Sequence, residues 1–161
     1  SKILFELMKA SHRSDRQLAK SSGVSQPTVT RRRAMLEENY IEGYTVIPKF
    51  GQIGYQIAAV TFLKSKLKGT TGEEQTQALT KMREWFINQT NVIMALDGRG
   101  MGWDTVCISL HENFENFAEF IRALDSELSD WVVESQTFNS DLKGGIVIKP
   151  FHLKYLASQK V

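Results

Sequence analysis

Between residues 25 and 33 the chain reads Ser-Gln-Pro-Thr-Val-Thr-Arg-Arg-Arg, which gathers a side-chain amide, three hydroxyls and three guanidinium groups within two or three helical turns. Amides and guanidiniums can each form two parallel hydrogen bonds to the edge of adenine or guanine, while hydroxyls and a helix N-terminus hold phosphates. On one helix, Ser25, Gln26, Thr28, Thr30, Arg31 and Arg32 would therefore present a surface for double-stranded DNA. The competing account is a solvated helix face whose arginines pair with Glu37 and Glu38. What stands on either side of the run decides between them.

Upstream, Ser14-Asp15-Arg16-Gln17 has the form of a capping box, with Leu18 and Ala19 following inward and Gly23 ending the helix. Ala19 and Gly23 allow a close approach of two helices across a tight turn. Ser25 is the next N-cap, Pro27 sits in the first turn where its missing N–H costs nothing, and the helix runs from Gln26 to about Glu38. Before these, Ile3, Leu4, Leu7 and Met8 mark one face of a first helix. Downstream, the β-branched and aromatic run from Ile41 to Ile47 predicts a short strand pair, or wing. Helix, turn, helix and wing favour the DNA account. A connector at Pro48–Gly54 predicts a boundary near residues 48–53, giving a DNA-binding domain at 1–50 and a second domain at 51–161.

The second domain has another rhythm. Strand-like stretches at Tyr55–Leu63, Val92–Leu96, Trp103–Leu110 and Trp131–Phe138 alternate with helical ones at Thr71–Asn88 and Phe114–Leu128. Leu79, Met82, Trp85 and Phe86 are expected inward on the first of these helices, and Phe114, Phe117, Phe120, Ile121 and Leu124 on the second. The order β-α-β-β-α-β predicts a ferredoxin-like sandwich, so the fold class is α+β. Ile146–Ile148 is a candidate edge strand, and Phe151–Ser158 a last helical turn or two.

Charge follows the same division. Residues 1–50 carry 9 Lys and Arg against 5 Asp and Glu, a net of +4, and the remainder carries 11 against 13, a net of −2. A small basic unit on a mildly acidic body suits a phosphate-binding module joined to something else. One cysteine excludes a disulfide scaffold, 42% hydrophobic residues argue against disorder, and no apolar run approaches the roughly 18 residues of a membrane span. With no signal-peptide run at its opening, the chain is expected in the cytoplasm.

Other chemistry is thinly represented. His12, His111 and His152 lack the spacing of zinc ligands, Cys107 reads as a small buried apolar residue, and no metal or cofactor is expected. The stretch Asp97-Gly-Arg-Gly-Met-Gly-Trp-Asp104 reads as a Gly-rich loop, but not as a dinucleotide fingerprint, since no helix opens after it. Gly98, Gly100 and Gly102 could permit close backbone approach to a small ligand, with Asp97 or Asp104 pairing an ammonium group. A flexible hairpin or a subunit contact is the other explanation.

The run Leu18 to Arg32, followed by Leu36-Glu-Glu-Asn-Tyr-Ile-Glu-Gly-Tyr-Thr45, resembles the N-terminal half of the Lrp/AsnC family of transcription regulators. The resemblance implies a winged helix-turn-helix joined to a ferredoxin-like RAM domain. It implies a cytoplasmic, non-enzymatic regulator that binds double-stranded DNA as a homodimer, often assembles further, and commonly senses an amino acid. Gln26, Thr28, Arg31 and Arg32 match the family's recognition helix, and Ser25 as N-cap would sit near a phosphate. Tyr44 and Thr45 fall in the wing, where turn and core packing is the simpler role. The loop at Asp97–Asp104 takes the place of a turn that in the family borders the effector site, and is longer and richer in glycine.

Arg33 departs from the family pattern by standing on the stripe of Val29 and Leu36, where an apolar residue is usual. Either its stem runs along that stripe, or the helix is rolled so that Met35 fills the gap. Two alternatives to a specific regulator remain. Sirohaem decarboxylases resemble the family in both halves, but the His-Asn-Tyr run expected of them is absent from Asn91-Val-Ile-Met-Ala95. A weakly specific architectural DNA binder would show steep salt dependence and little discrimination.

Overall fold

The computed structural model describes residues 2–66 and 71–158. The chain forms two compact units, Lys49–Val147 and a composite of Ser1–Pro48 with Ile148–Val161. The segment after Val147 thus joins the first helices, where the sequence suggested that it continue the second domain.

In the composite unit, α1 (Lys2–Lys9), α2 (Asp15–Ser22) and α3 (Gln26–Asn39) bury Ile3, Leu7, Leu18, Val29 and Leu36. Leu4, Ala19, Val24 and Ile41 close over them. The Ser14 box is formed: its Oγ accepts from the Gln17 N–H at 3.3 Å, and Gln17 Oε1 accepts from the Ser14 N–H at 2.8 Å. Gly23 ends α2 at φ 73°, a left-handed conformation that glycine adopts without steric cost, and its N–H closes on the Ala19 carbonyl. A short helix, α6 (Lys154–Ser158), lies against α1 and buries Ala157.

The wing expected at 41–47 is not formed as a strand pair. Extended backbone needs a laddered neighbour to become a strand, and the segment from Ile41 to Lys49 has none. Val46 accordingly stays 83% exposed. The edge strand expected at Ile146–Ile148 is absent for the same reason.

The second unit begins with a 3₁₀ turn at Phe50–Ile53, followed by β1 (Ile57–Ser65), α4 (Gly72–Ile87), β2 (Val92–Gly100), β3 (Trp103–His111), α5 (Phe114–Glu127) and β4 (Val132–Asp141). The strands form one antiparallel sheet in the order β2-β3-β1-β4, the ferredoxin-like arrangement. On the helix side, Leu63 and Cys107 meet Met82, Phe86, Phe120, Leu124 and Leu128, with Ile57, Ala59 and Phe117 as a smaller cluster. Burial raises the Cys107 thiol pKa to about 11, so it is an inert core residue. Two expected core positions are corrected: Leu79 is half-exposed, with Ala78 turned inward instead, and Phe114 is 67% exposed at the first turn of α5.

A titratable polar group lies inside this core beside the buried hydroxyls of Thr61 and Ser109. The His111 ring is buried beside Phe117 and Phe120, and Ser109 and Asn91 flank its two nitrogens. The Asn91 amide donates to Nδ1 at 3.3 Å, so Nε2 carries the proton and donates to Ser109 Oγ at 2.8 Å. This is a neutral imidazole, and burial lowers its pKa from the ordinary histidine value. The opposite sheet face carries Val60, Phe62, Val106 and Ile108 on the central strands, Met94 and Leu96 on β2 and Phe138 on β4, none of which enters the helix-side core. Met94, Leu96 and Phe138 are exposed.

Candidate nucleic-acid interface

The orientation of α3 is fixed by a carboxylate at the start of α2. Asp15 Oδ2 accepts from Thr30 Oγ1 at 2.6 Å, and Asp15 Oδ1 lies 2.8 Å from Arg33 Nη1. Arg33 Nη2 donates to the Arg13 carbonyl at 2.7 Å, while its Nε is buried without a partner. Arg33 therefore runs its stem toward the core and ties α3 to the α1–α2 turn. The rolled-helix alternative is excluded, since Met35 is 47% exposed. On the other side of that turn, Glu6 pairs with Lys9 at 3.0 Å and with Arg13. The Lys9 hydrogen bond, with the charge of both cations, lowers the Glu6 pKa.

These contacts sort the basic residues of the unit. Lys9, Arg13 and Arg33 are held by carboxylates, whereas among the described residues the side chains of Lys2, Arg16, Lys20, Arg31 and Arg32 make neither ion pair nor hydrogen bond. Arg31 and Arg32 are exposed and do not pair with Glu37 or Glu38. Glu37 instead accepts from the Tyr44 hydroxyl at 2.9 Å. Desolvation, then the Glu37 carboxylate, raises the pKa of that phenol. Tyr44 thus braces the end of α3, at 48% exposure, and is not a core residue.

The six residues anticipated on α3 divide accordingly. Gln26, Arg31 and Arg32 are exposed with free side chains. Ser25 and Thr28 bond to each other through their hydroxyls at 2.9 Å, so Ser25 makes no side-chain cap to the helix amides. Thr30 is turned to Asp15 and to the Gln26 carbonyl. Asp15 was the residue hidden from sequence reasoning, because nothing in a capping box signals a partner on the next helix.

At Asp97–Asp104 the expected Gly-rich loop is a tight hairpin instead. Strand β2 continues through Gly100, which pairs with Trp103, and only Met101 and Gly102 turn, at φ 53° and 85°. Two successive positive φ values match the right-handed strand twist. A Cβ at Gly98 or Gly100 would meet open space, so no close approach within the chain demands either glycine. The Asp104 carboxylate accepts from the Ser65 N–H at 2.9 Å and from Ser65 Oγ at 2.6 Å, whereas Asp97 is exposed. Among the described residues no group of three or more His, Cys, Asp or Glu is placed to hold a metal ion, and no helix is long and apolar enough to cross a membrane.

Residues 1–41 match the family described as winged helix-turn-helix DNA-binding. No curated protein matches the chain. Among solved structures, an AsnC family transcriptional regulator from Agrobacterium tumefaciens is similar at a TM-score of 0.75 and 16% identity, over 96% of this chain and 95% of that one. LrpC of B. subtilis gives 0.67 and 21%, over 91% and 94%. A transcriptional regulator from Neisseria meningitidis, in complex with L-Met, gives 0.71 and 16%, over 86% and 84%. The chain carries a helix-turn-helix of the winged DNA-binding kind, and over nearly its whole length it has the fold of the Lrp/AsnC transcriptional regulators.

Proposed function

We propose that the protein is a sequence-specific transcriptional regulator of the Lrp/AsnC type, with α3 in the major groove of double-stranded DNA. The observation that carries this is the free state of Gln26, Arg31 and Arg32 on the second helix of the helix-turn-helix, when their neighbour Arg33 is committed to Asp15. Structural cations find carboxylates, and unpartnered guanidiniums on a rigid helix suit base edges and phosphates. Ser25 and Thr28 lie at the same end of α3, where hydroxyls serve phosphates. Thr30 has a positioning role in this reading, through Asp15.

The protein acts without catalysis on this reading, as a homodimer in the cytoplasm. The bare apolar sheet face is the surface that a second copy would cover, and a two-fold pair of α3 helices would meet two half-sites. For the effector, the Neisseria regulator binds L-Met, and an amino acid is the ligand class proposed here. Asp97 is the carboxylate free to pair its ammonium at the hairpin of Gly98, Gly100 and Gly102, while Asp104 holds Ser65.

Fluorescence anisotropy on DNA from upstream of the protein's own gene, against a scrambled duplex at near-physiological salt, tests the central claim. A preference of ~10³-fold or more is expected for the upstream fragment. In Arg31→Ala or Arg32→Ala it should fall by about 1–3 kcal/mol for a base-reading residue. Equal binding to both duplexes would favour an architectural role, and failure to bind either at low salt would overturn the DNA reading.

A further inference from the structure

On the side of α3 turned toward the start of α1, Arg31, Arg32 and Met35 line an open groove with Lys2, of about 680 Å³. Three cations line it, and among the described residues no carboxylate contributes to the lining. None of the three has an ionic or hydrogen-bonded partner among the described residues, while Lys9, on the same helix as Lys2, is neutralised by Glu6. Three like charges around a shared hollow add to its positive potential and favour an anion between them. Met35 is the apolar residue of the lining.

We propose that this groove receives a backbone phosphate of the bound duplex and that Lys2 is a DNA contact, although it lies outside the helix-turn-helix proper. The inference rests on the DNA reading above and adds to it a third wall, contributed by α1. A lysine here offers a compact, mobile charge, suited to a phosphate and unsuited to the bidentate reading of a base. Lys2 therefore adds affinity without sequence preference.

The test is anisotropy of the full chain on the upstream and scrambled duplexes across a salt series, with wild type, Lys2→Gln, Lys2→Arg and the Arg31→Ala, Arg32→Ala double variant. Loss of one phosphate contact in each subunit should lower the slope of log K against log salt by ~0.9 per bound subunit, and weaken both duplexes by the same factor of about five per subunit at physiological salt. Lys2→Arg should restore both. Lys2 is exposed, so an unchanged melting temperature is expected for the glutamine variant. An unchanged slope in Lys2→Gln overturns the inference; if the double variant still loses the upstream preference, the DNA reading stands without it. A loss confined to the upstream duplex would make Lys2 a reader of sequence and overturn the phosphate role. A groove that holds free inorganic phosphate, seen as competition at constant ionic strength that vanishes in Lys2→Gln, with an unchanged DNA slope, would assign it to a small anion and equally overturn the proposal. If wild type binds neither duplex, both readings fall together.

Discussion

His111 is a titratable ring inside a core that favours its neutral form, and its consequence can be worked out in sign. Its folded pKa lies below the ordinary histidine value, with Nδ1 already accepting from Asn91 and no acceptor there for a second proton. Above about pH 6.5 the ring is neutral folded or unfolded and stability is insensitive to it. As pH falls below that value the unfolded chain binds the proton first, so stability declines until the folded pKa is passed. Urea midpoints should drop between pH 7.5 and 5, and the drop should shrink in His111→Gln. Equal slopes in the two proteins would refute the assignment. Glu6 acts at lower pH: its lowered pKa gives stability that is present above the unfolded carboxylate range and lost as pH falls through the folded value. Little of this was legible in the sequence, where His111 stood as one histidine in a strand. Arg33 was more legible. Its place on the apolar stripe marked it as different from Arg31 and Arg32, but the choice between a buried stem and a rolled helix needed Asp15, 18 positions away.

Among the elements, the Asp15 clamp adds to the apolar packing of α2 on α3, whose stripe offers only Val29 and Leu36 as buried side chains. Asp15→Ala should leave Arg33 half-buried with its charge uncompensated and cost about 1–3 kcal/mol in chemical denaturation. Arg31→Ala, on the free side, should change stability by no more than about 0.5 kcal/mol. A comparable loss in both variants would mean that the clamp carries no special weight. The helices were legible because caps and periodicity are local: the Ser14 box, Gly23 and Pro27 all stand where they were read. The ends of the strands were not, since a ladder is a property of two segments. Glycines at 98 and 100 suggested a loop, yet the pairing of Asp97 and Gly100 to β3 carries the strand through them; β-propensity at 41–47 suggested a wing, yet no neighbour is there to complete it.

For the whole molecule, the apolar face of the sheet has a measurable consequence. If a second copy covers it, wild type should sediment as a dimer at micromolar concentration, and the pair Phe62→Asp, Phe138→Asp should give monomers with an unchanged circular dichroism spectrum. A monomeric wild type would remove the two-fold model of operator binding. The ferredoxin-like order was legible from alternation and helix spacing alone, because β-α-β-β-α-β leaves few topologies open. The grouping of the last segment with the first helices was not, for α6 is too short to announce its partner. That grouping bears on the order in which the protein is made. Since α6 lies against α1, the unit whose helices are made before Lys49–Val147 is completed only after it. Its three helices precede Lys49–Val147, but the side of α1 that α6 packs on stays uncovered while all of that segment is synthesised, and the unit closes only when α6 has followed.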